Sequence, residues 1–242
     1  MIHTILDIAV VAVAAILSIT LHGAAHGYAA LALGDDTARA AGRLSLNPLA
    51  HIDRFGTIIL PGFLLISQLL TIGHVGFMFG WAKPVPVSAW KFRDPRRGMM
   101  VVAAAGPAMN FVLAWLGALA LHAVPFLSGL PMFVAAEFLI AFIIYNMVLG
   151  IFNLIPIPPL DGGRIIVGLL PLPLARAWAR LERAGLLIIL LLLFLVPALA
   201  RQAGYDFSPV QALLGAVLQP VLGLLLMLAG HPAMGRDLLG NV

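Results

Sequence analysis

ILDIAVVAVAAILSITLHGAAHGYAALAL, residues 5–33, is apolar almost throughout, and its one acidic residue, Asp7, lies near the start. An α-helix needs roughly 20 apolar residues to cross about 30 Å of hydrocarbon, so this run predicts a spanning helix with length to spare. Its second half carries His22 and His26, four residues apart, where a polar ring is costly to keep. The rest of the chain extends the same reading. Of 242 residues, 62% are hydrophobic and 10% charged, and the mean hydropathy is +1.06. That composition excludes an ordinary water-soluble domain. No stretch shows the short alternation of an outer-membrane barrel, so the spans are expected to be helices. MIHTILDIAV lacks a basic leader and a small-residue cleavage site, so the start is expected to be a retained span, not a signal peptide.

Further apolar stretches cover about residues 98–125, 131–155, 184–200 and 209–229. Residues 55–80 are apolar too, but Pro61-Gly62 is expected to break them. The segment WAKPVPVSAWKFRDPRR, residues 81–97, alternates prolines with basic residues and reads as a short ribbon at the membrane surface. The expected fold is therefore an all-α polytopic membrane protein. It is a bundle of about five to six transmembrane helices with a re-entrant hairpin and the surface ribbon. No repeat or low-complexity tract divides it, which gives one integral membrane domain over 1–242, with a core over 1–165 and additional helices over 166–242.

Lys and Arg collect on the cytoplasmic side of membrane proteins. If residues 55–80 enter and leave by one face, 13 of the 14 basic residues fall on one side and only Arg201 on the other. This partition favours the hairpin, an outside N-terminus and five full spans. The net charge of +4 belongs to those connections, so nucleic-acid binding is not expected. The chain has no cysteine, which removes disulfides, thiolate metal ligands and a cysteine nucleophile.

On a helix, positions 22 and 26 project from one face, about 40° apart after a full turn, so both imidazoles can hold one ion. The alternative for each histidine is a hydrogen bond to a neighbouring helix. A zinc site of this kind commonly takes a third protein ligand, often a carboxylate, and leaves a position for water. Among the acids Asp161 stands apart. It follows a span in NLIPIPPLDGGRI, where Pro156, Pro158 and Pro159 stop the helix and Gly162-Gly163 allows close backbone approach. At about 1.5 Å per residue, His22 lies roughly 26 Å from residue 5, close to the inner boundary that Asp161 also reaches. Glu137 opens the span before Asp161 and lies at its far end. The small-residue run 103–106 and Asn146 read most simply as helix packing and inter-span hydrogen bonding.

HGAAH at 22–26, GPAMNF at 106–111 and NLIPIPPLDGGR at 153–164, in this order within apolar spans, resemble the site-2 protease family of intramembrane zinc metalloproteases. The resemblance covers about residues 20–165. It implies one zinc per chain on His22, His26 and Asp161, with Asn153 near the bound peptide or its oxyanion. It also implies a ribbon that guides an unwound substrate helix, a single-span membrane protein as substrate, and an active site near the cytoplasmic face of the cell membrane.

The family pattern is H-E-x-x-H, whose glutamate serves as general base. Here that position is Gly23, and the only glutamates, Glu137 and Glu182, are not placed to replace it. Either the chain is a disabled variant or it is a relative that kept the scaffold. A non-catalytic pseudoprotease that binds membrane helices is the leading alternative, and an ion transporter built on broken helices is a weaker one. GYDF at 204–207 resembles half of an aspartyl intramembrane protease signature, but the second half is absent, as is a serine turn of the G-x-S-x-G kind.

Overall fold

The computed structural model describes residues 2–48, 53–71 and 83–239. In chain order its α-helices are α1 (Ile2–Ala32), α2 (Thr37–Ala40), α3 (Leu60–Thr71), α4 (Pro95–Ala120), α5 (Gly129–Asn153) and α6 (Asp161–Leu169). They are followed by α7 (Leu172–Arg180), α8 (Glu182–Leu190), α9 (Val196–Gln202), α10 (Pro209–Leu228) and α11 (Pro232–Leu239). A π-helical turn over Leu191–Leu195 joins α8 to α9 in one apolar stretch. There is no strand among the described residues. Among the described residues, five helical stretches are long and apolar enough to cross a membrane: Leu6–Ala32, Pro95–Phe126, Gly129–Asn153, Glu182–Gln202 and Pro209–Leu228. The chain is an all-α, multi-pass membrane protein.

α1, α4 and α5 pack on one another and form the centre of the bundle. Apolar area gives little drive for helix association within lipid, so close contact of small residues has to supply it. Ala114 and Ala118 of α4 are fully buried against Ile143, Met147 and Ile151 of α5, and α10 adds Leu225 and Leu226 to the same cluster. Polar bonds tie the three central helices together. Asn110 of α4 donates to Asn146 Oδ1 of α5 at 2.7 Å, and Asn146 donates to Ser18 Oγ of α1 at 2.8 Å. Asn146 thus makes the inter-span bonds expected of it.

The ribbon is pinned at the C-terminal end of α1. Asp35 is completely enclosed and accepts from Ser88 N at 2.6 Å, Thr37 N at 3.0 Å and Thr37 Oγ1 at 2.5 Å. Lys91 bridges Asp36 at 2.5 Å and lies 3.5 Å from Asp35. Burial pushes the Asp35 carboxyl up, but the Ser88 amide, the Thr37 donors and the Lys91 charge outweigh it and hold it below the usual carboxylate range.

Three expectations need correction. Pro61-Gly62 does not break its segment: a π-helical turn over Arg54–Ile59 runs directly into α3, the helix continues through both residues, and the π-turn stands where the proline's missing N–H interrupts the regular ladder. Whether residues 55–80 form a re-entrant hairpin turns on residues 72–80, which lie outside the described residues, as do ribbon residues 81 and 82. The ribbon also ends earlier than residue 97. Asp94 caps α4 by accepting from the amides of Arg96 and Arg97, both at 3.1 Å, so the helix starts at Pro95.

The third correction concerns α10. In strict alternation its C-terminal end would lie level with Asp161. Instead His231, just after α10, stacks on His122, just after α4, with ring centroids 4.0 Å apart. The end of α10 therefore lies with the end of α4, away from Asp161, and Arg236 leaves the basic majority. Hydrogen bonds made by these two rings to backbone carbonyls of the opposite segments hold that placement.

Candidate metal centre

His22 and His26 project from one face of α1 toward α4 and toward the start of α6. Their Nε2 atoms are 3.1 Å apart. Asp161 Oδ2 lies 3.3 Å from His22 Nε2 and 3.4 Å from His26 Nε2. Two donors each about 2.0 to 2.1 Å from a single tetrahedral ion are separated by about 3.3 Å, so the three atoms stand at metal-ligand spacing. Asp161 Oδ2 is buried and has no hydrogen-bond partner among the described residues, as a ligand oxygen aimed at a cation would be.

The second ring nitrogens are committed elsewhere. His22 Nδ1–H donates to Asn110 Oδ1 at 2.6 Å, and His26 Nδ1–H donates to the Val102 carbonyl at 2.7 Å. Each neutral imidazole then presents a bare Nε2 lone pair to the centre, and the rings lie nearly perpendicular, at 87°. Three lone pairs converging this closely repel one another unless a cation lies among them. The donor set of two imidazoles and a carboxylate suits a divalent ion of the zinc class.

Backbone packing makes the approach possible. A Cβ at Gly106 would lie 2.5 Å from His26 Nε2 and 2.6 Å from His22 Cε1, so glycine lets α4 pass against the Nε2 edges of both rings. At Gly162 a Cβ would lie 2.2 Å from the Leu154 carbonyl, and at Gly163 it would lie 2.3 Å from Pro158 N. The Asp161-Gly162-Gly163 start of α6 is thereby pressed against the proline turn that ends α5. This is a refinement of the expected unwound turn, because Asp161 is itself the first residue of a new helix.

The three groups open onto a cavity of about 560 Å³, walled by apolar side chains such as Ile19, Val85, Phe152 and Ile189. Gly23 and Asn153 both line it, and the Asn153 amide donates to the Leu149 carbonyl at 3.0 Å. Glu137 is not in the cluster, nor is Glu182, which pairs with Arg164 at 3.1 Å. Gly106, the last residue of the small-residue run 103–106, makes the expected close packing, and what it packs against is the two histidine rings. Asn110 is the participant that sequence reasoning left without a role, although it stands inside GPAMNF; nothing in its spacing links it to His22, 88 positions away.

Residues 128–196 match Peptidase family M50. The chain is 38% identical over 221 residues to the Bacillus subtilis (strain 168) protein "Putative zinc metalloprotease YwhC", covering 86% of this chain and 91% of that protein. The chain belongs to peptidase family M50. This is the site-2 protease family that HGAAH, GPAMNF and NLIPIPPLDGGR resemble. A second relative, "Putative zinc metalloprotease Rip2" of Mycolicibacterium smegmatis (strain ATCC 700084 / mc(2)155), is 32% identical over 197 residues, covering 77% of this chain and 66% of that protein. No solved structure matches the chain significantly.

Proposed function

We propose that this M50 protein is a site-2-type intramembrane metalloprotease scaffold that holds one zinc on His22, His26 and Asp161 and engages a single-span membrane protein. The observation that carries the reading is the convergence of two Nε2 atoms and one carboxylate oxygen within 3.1 to 3.4 Å, each ring turned by a hydrogen bond on its other nitrogen. Zinc bound there supplies a Lewis acid and lowers the pKa of a bound water toward 7.

The chain's own residues divide the remaining work. The apolar walls exclude bulk water and accept an unwound apolar segment. Asn153 stands at the wall with an amide N–H to offer a peptide carbonyl or its oxyanion. Gly23 offers nothing where a proton acceptor is required. General acid-base assistance is typically worth about 10²- to 10⁴-fold, so turnover falls by about that factor relative to a glutamate-bearing relative. Gly23 also favours a second reading, a pseudoprotease that binds membrane helices without cutting them.

Gly23→Glu separates the two. It restores a carboxylate one residue after His22, on the wall of the same cavity, and cleavage of a panel of single-span substrates should rise by about 10²-fold or more. The gain should vanish when Asp161→Ala is added. A Gly23→Glu protein that binds zinc and a test span yet cleaves nothing that an active relative cleaves would leave the helix-binding reading in first place. The metal-bearing end faces the cytoplasm on this reading, supported by the basic residues gathered there. Single cysteines at positions 45 and 92 should then be labelled from the cytoplasmic side, and labelling of either from outside would reject that orientation.

A further inference from the structure

We propose that Asn146 and Ser18, neither of which touches the metal site, are positioning residues that set the tautomer of His22 through a one-way chain of hydrogen bonds. The inference rests on the metal-centre reading and goes beyond it. The chain runs through three buried side chains on three helices: Ser18, Asn146 and Asn110 are each 0% exposed. Ser18 Oγ–H donates to the Ala14 carbonyl at 2.8 Å. Asn146 Nδ2 donates to Ser18 Oγ at 2.8 Å and to the Phe142 carbonyl at 2.8 Å. Asn110 Nδ2 then donates to Asn146 Oδ1 at 2.7 Å, and His22 Nδ1–H donates to Asn110 Oδ1 at 2.6 Å.

The direction of every link follows from its far end. A backbone carbonyl only accepts, so the Ala14 oxygen takes the Ser18 proton and leaves the hydroxyl lone pairs for an N–H. The Phe142 oxygen makes the same demand on the Asn146 amide. Asn146 must therefore point its NH₂ at Ser18 and Phe142 and its oxygen at Asn110. Asn110 must turn its NH₂ to that oxygen and its own oxygen to His22, which places the ring proton on Nδ1 and leaves Nε2 bare. An amide alone has no such preference, because a flip of Asn110 exchanges donor for acceptor at nearly the same shape. A flipped Asn110 would call for the opposite tautomer, with the proton on Nε2 where the metal belongs.

His26 lacks this dependence, since its Nδ1–H donates directly to the Val102 carbonyl. The relay thus supplies at His22, through Asn110, Asn146 and Ser18, what backbone supplies at His26. Outer-shell partners of metal-ligating histidines are typically worth about 10- to 100-fold in metal affinity.

The test uses the purified full chain, stripped of metal and titrated with Zn²⁺ against a competing chelator, with Co²⁺ absorption as a second reading of the coordination sphere. Asn146→Leu should weaken Zn²⁺ binding by about 10-fold or more and alter the Co²⁺ bands. Ser18→Ala, which leaves Asn146 its Phe142 bond, should weaken it by a smaller factor of about 2 to 5. Met147→Ala, a cavity in the same helix outside the relay, should lower thermal stability without changing the Zn²⁺ affinity. Unaltered affinity in Asn146→Leu overturns the proposal, as does an equal loss in Met147→Ala. If Asn146→Leu does not fold, unaltered affinity in Ser18→Ala overturns it instead. His22→Ala serves as the reference: if it leaves Zn²⁺ affinity intact the metal-centre reading itself fails, whereas loss in His22→Ala beside full affinity in the relay variants rejects the relay alone.

Discussion

Two histidine pairs lie at opposite ends of this bundle, and they have opposite uses. At one end the His22 and His26 rings are nearly perpendicular, at 87°, with both Nε2 atoms converging beside a carboxylate. At the other end His122 and His231 lie almost parallel, at 11°, with centroids 4.0 Å apart. There each Nε2–H is spent on a backbone carbonyl at 2.9 Å, from His122 to Ala229 and from His231 to Ala118. No acidic side chain joins this second pair into a metal-binding group among the described residues. The residue type is the same and the separation similar. The nitrogen each ring spends on its surroundings decides whether the pair can serve as a ligand set, as proposed for His22 and His26, or is a strap between helix ends.

The contrast breaks most directly at the metal. Asp161→Ala should reduce zinc in the purified protein from about one per chain to near none, because two imidazoles alone make an incomplete site. His231→Phe should leave the zinc content unchanged and cost about 0.5 to 1.5 kcal/mol, the worth of one hydrogen bond, in thermal unfolding. Metal analysis and a melting curve on the two variants decide it. Full zinc in Asp161→Ala, or lost zinc in His231→Phe, would erase the distinction.

A smaller effect is expected at Gly106. The added methyl of Gly106→Ala must displace one or both rings, at an overpacking cost of about 1 to 3 kcal/mol. Expressed through zinc affinity, that is a loss of about 5- to 150-fold. The His122–His231 end should be untouched, as its unchanged hydrogen-exchange protection would demonstrate. Zinc affinity equal to that of the unaltered protein would mean that α4 can shift to make room.

The smallest effect concerns pH at the ribbon. Asp35 has a folded-state pKa below its unfolded value of about 3.9. Its contribution to ribbon attachment is therefore complete above that value and is lost as pH falls through the lower folded one. Amide exchange at residues 85–91 should accelerate only below about pH 4, and Asp35→Asn should show fast exchange at neutral pH with no further acid step. A ribbon equally protected in Asp35→Asn at neutral pH would show that the carboxylate is dispensable.

Much of the fold was legible because the signals are local. Run length alone placed the five apolar spans to within a few residues, and Pro156, Pro158 and Pro159 marked where α5 stops. Pro61-Gly62 misled because an irregular π-helical turn before a proline lets the helix continue through it, and nothing in the spacing announces such a turn. The end of α10 misled because alternation is a rule about connections, and the His122–His231 contact that overrides it joins positions 109 apart.

By itself the sequence determined that the chain crosses a membrane, that His22 and His26 share a helix face, that Asp161 begins anew after a forced break, and that glycine stands at position 23, where the H-E-x-x-H pattern has glutamate. These follow from helical repeat, from proline chemistry and from residue identity, none of which needs a distant partner. Only the tertiary structure decided that Gly106 must be small, that Asn110 turns His22, that Asn146 and Ser18 continue the chain behind it, and that the second histidine pair is a strap. Each of those is a hydrogen bond or contact between residues roughly 35 to 130 positions apart. Such a contact exists only once three helices have packed close enough to remove water from between them, and no spacing along the chain encodes which side chains will then meet.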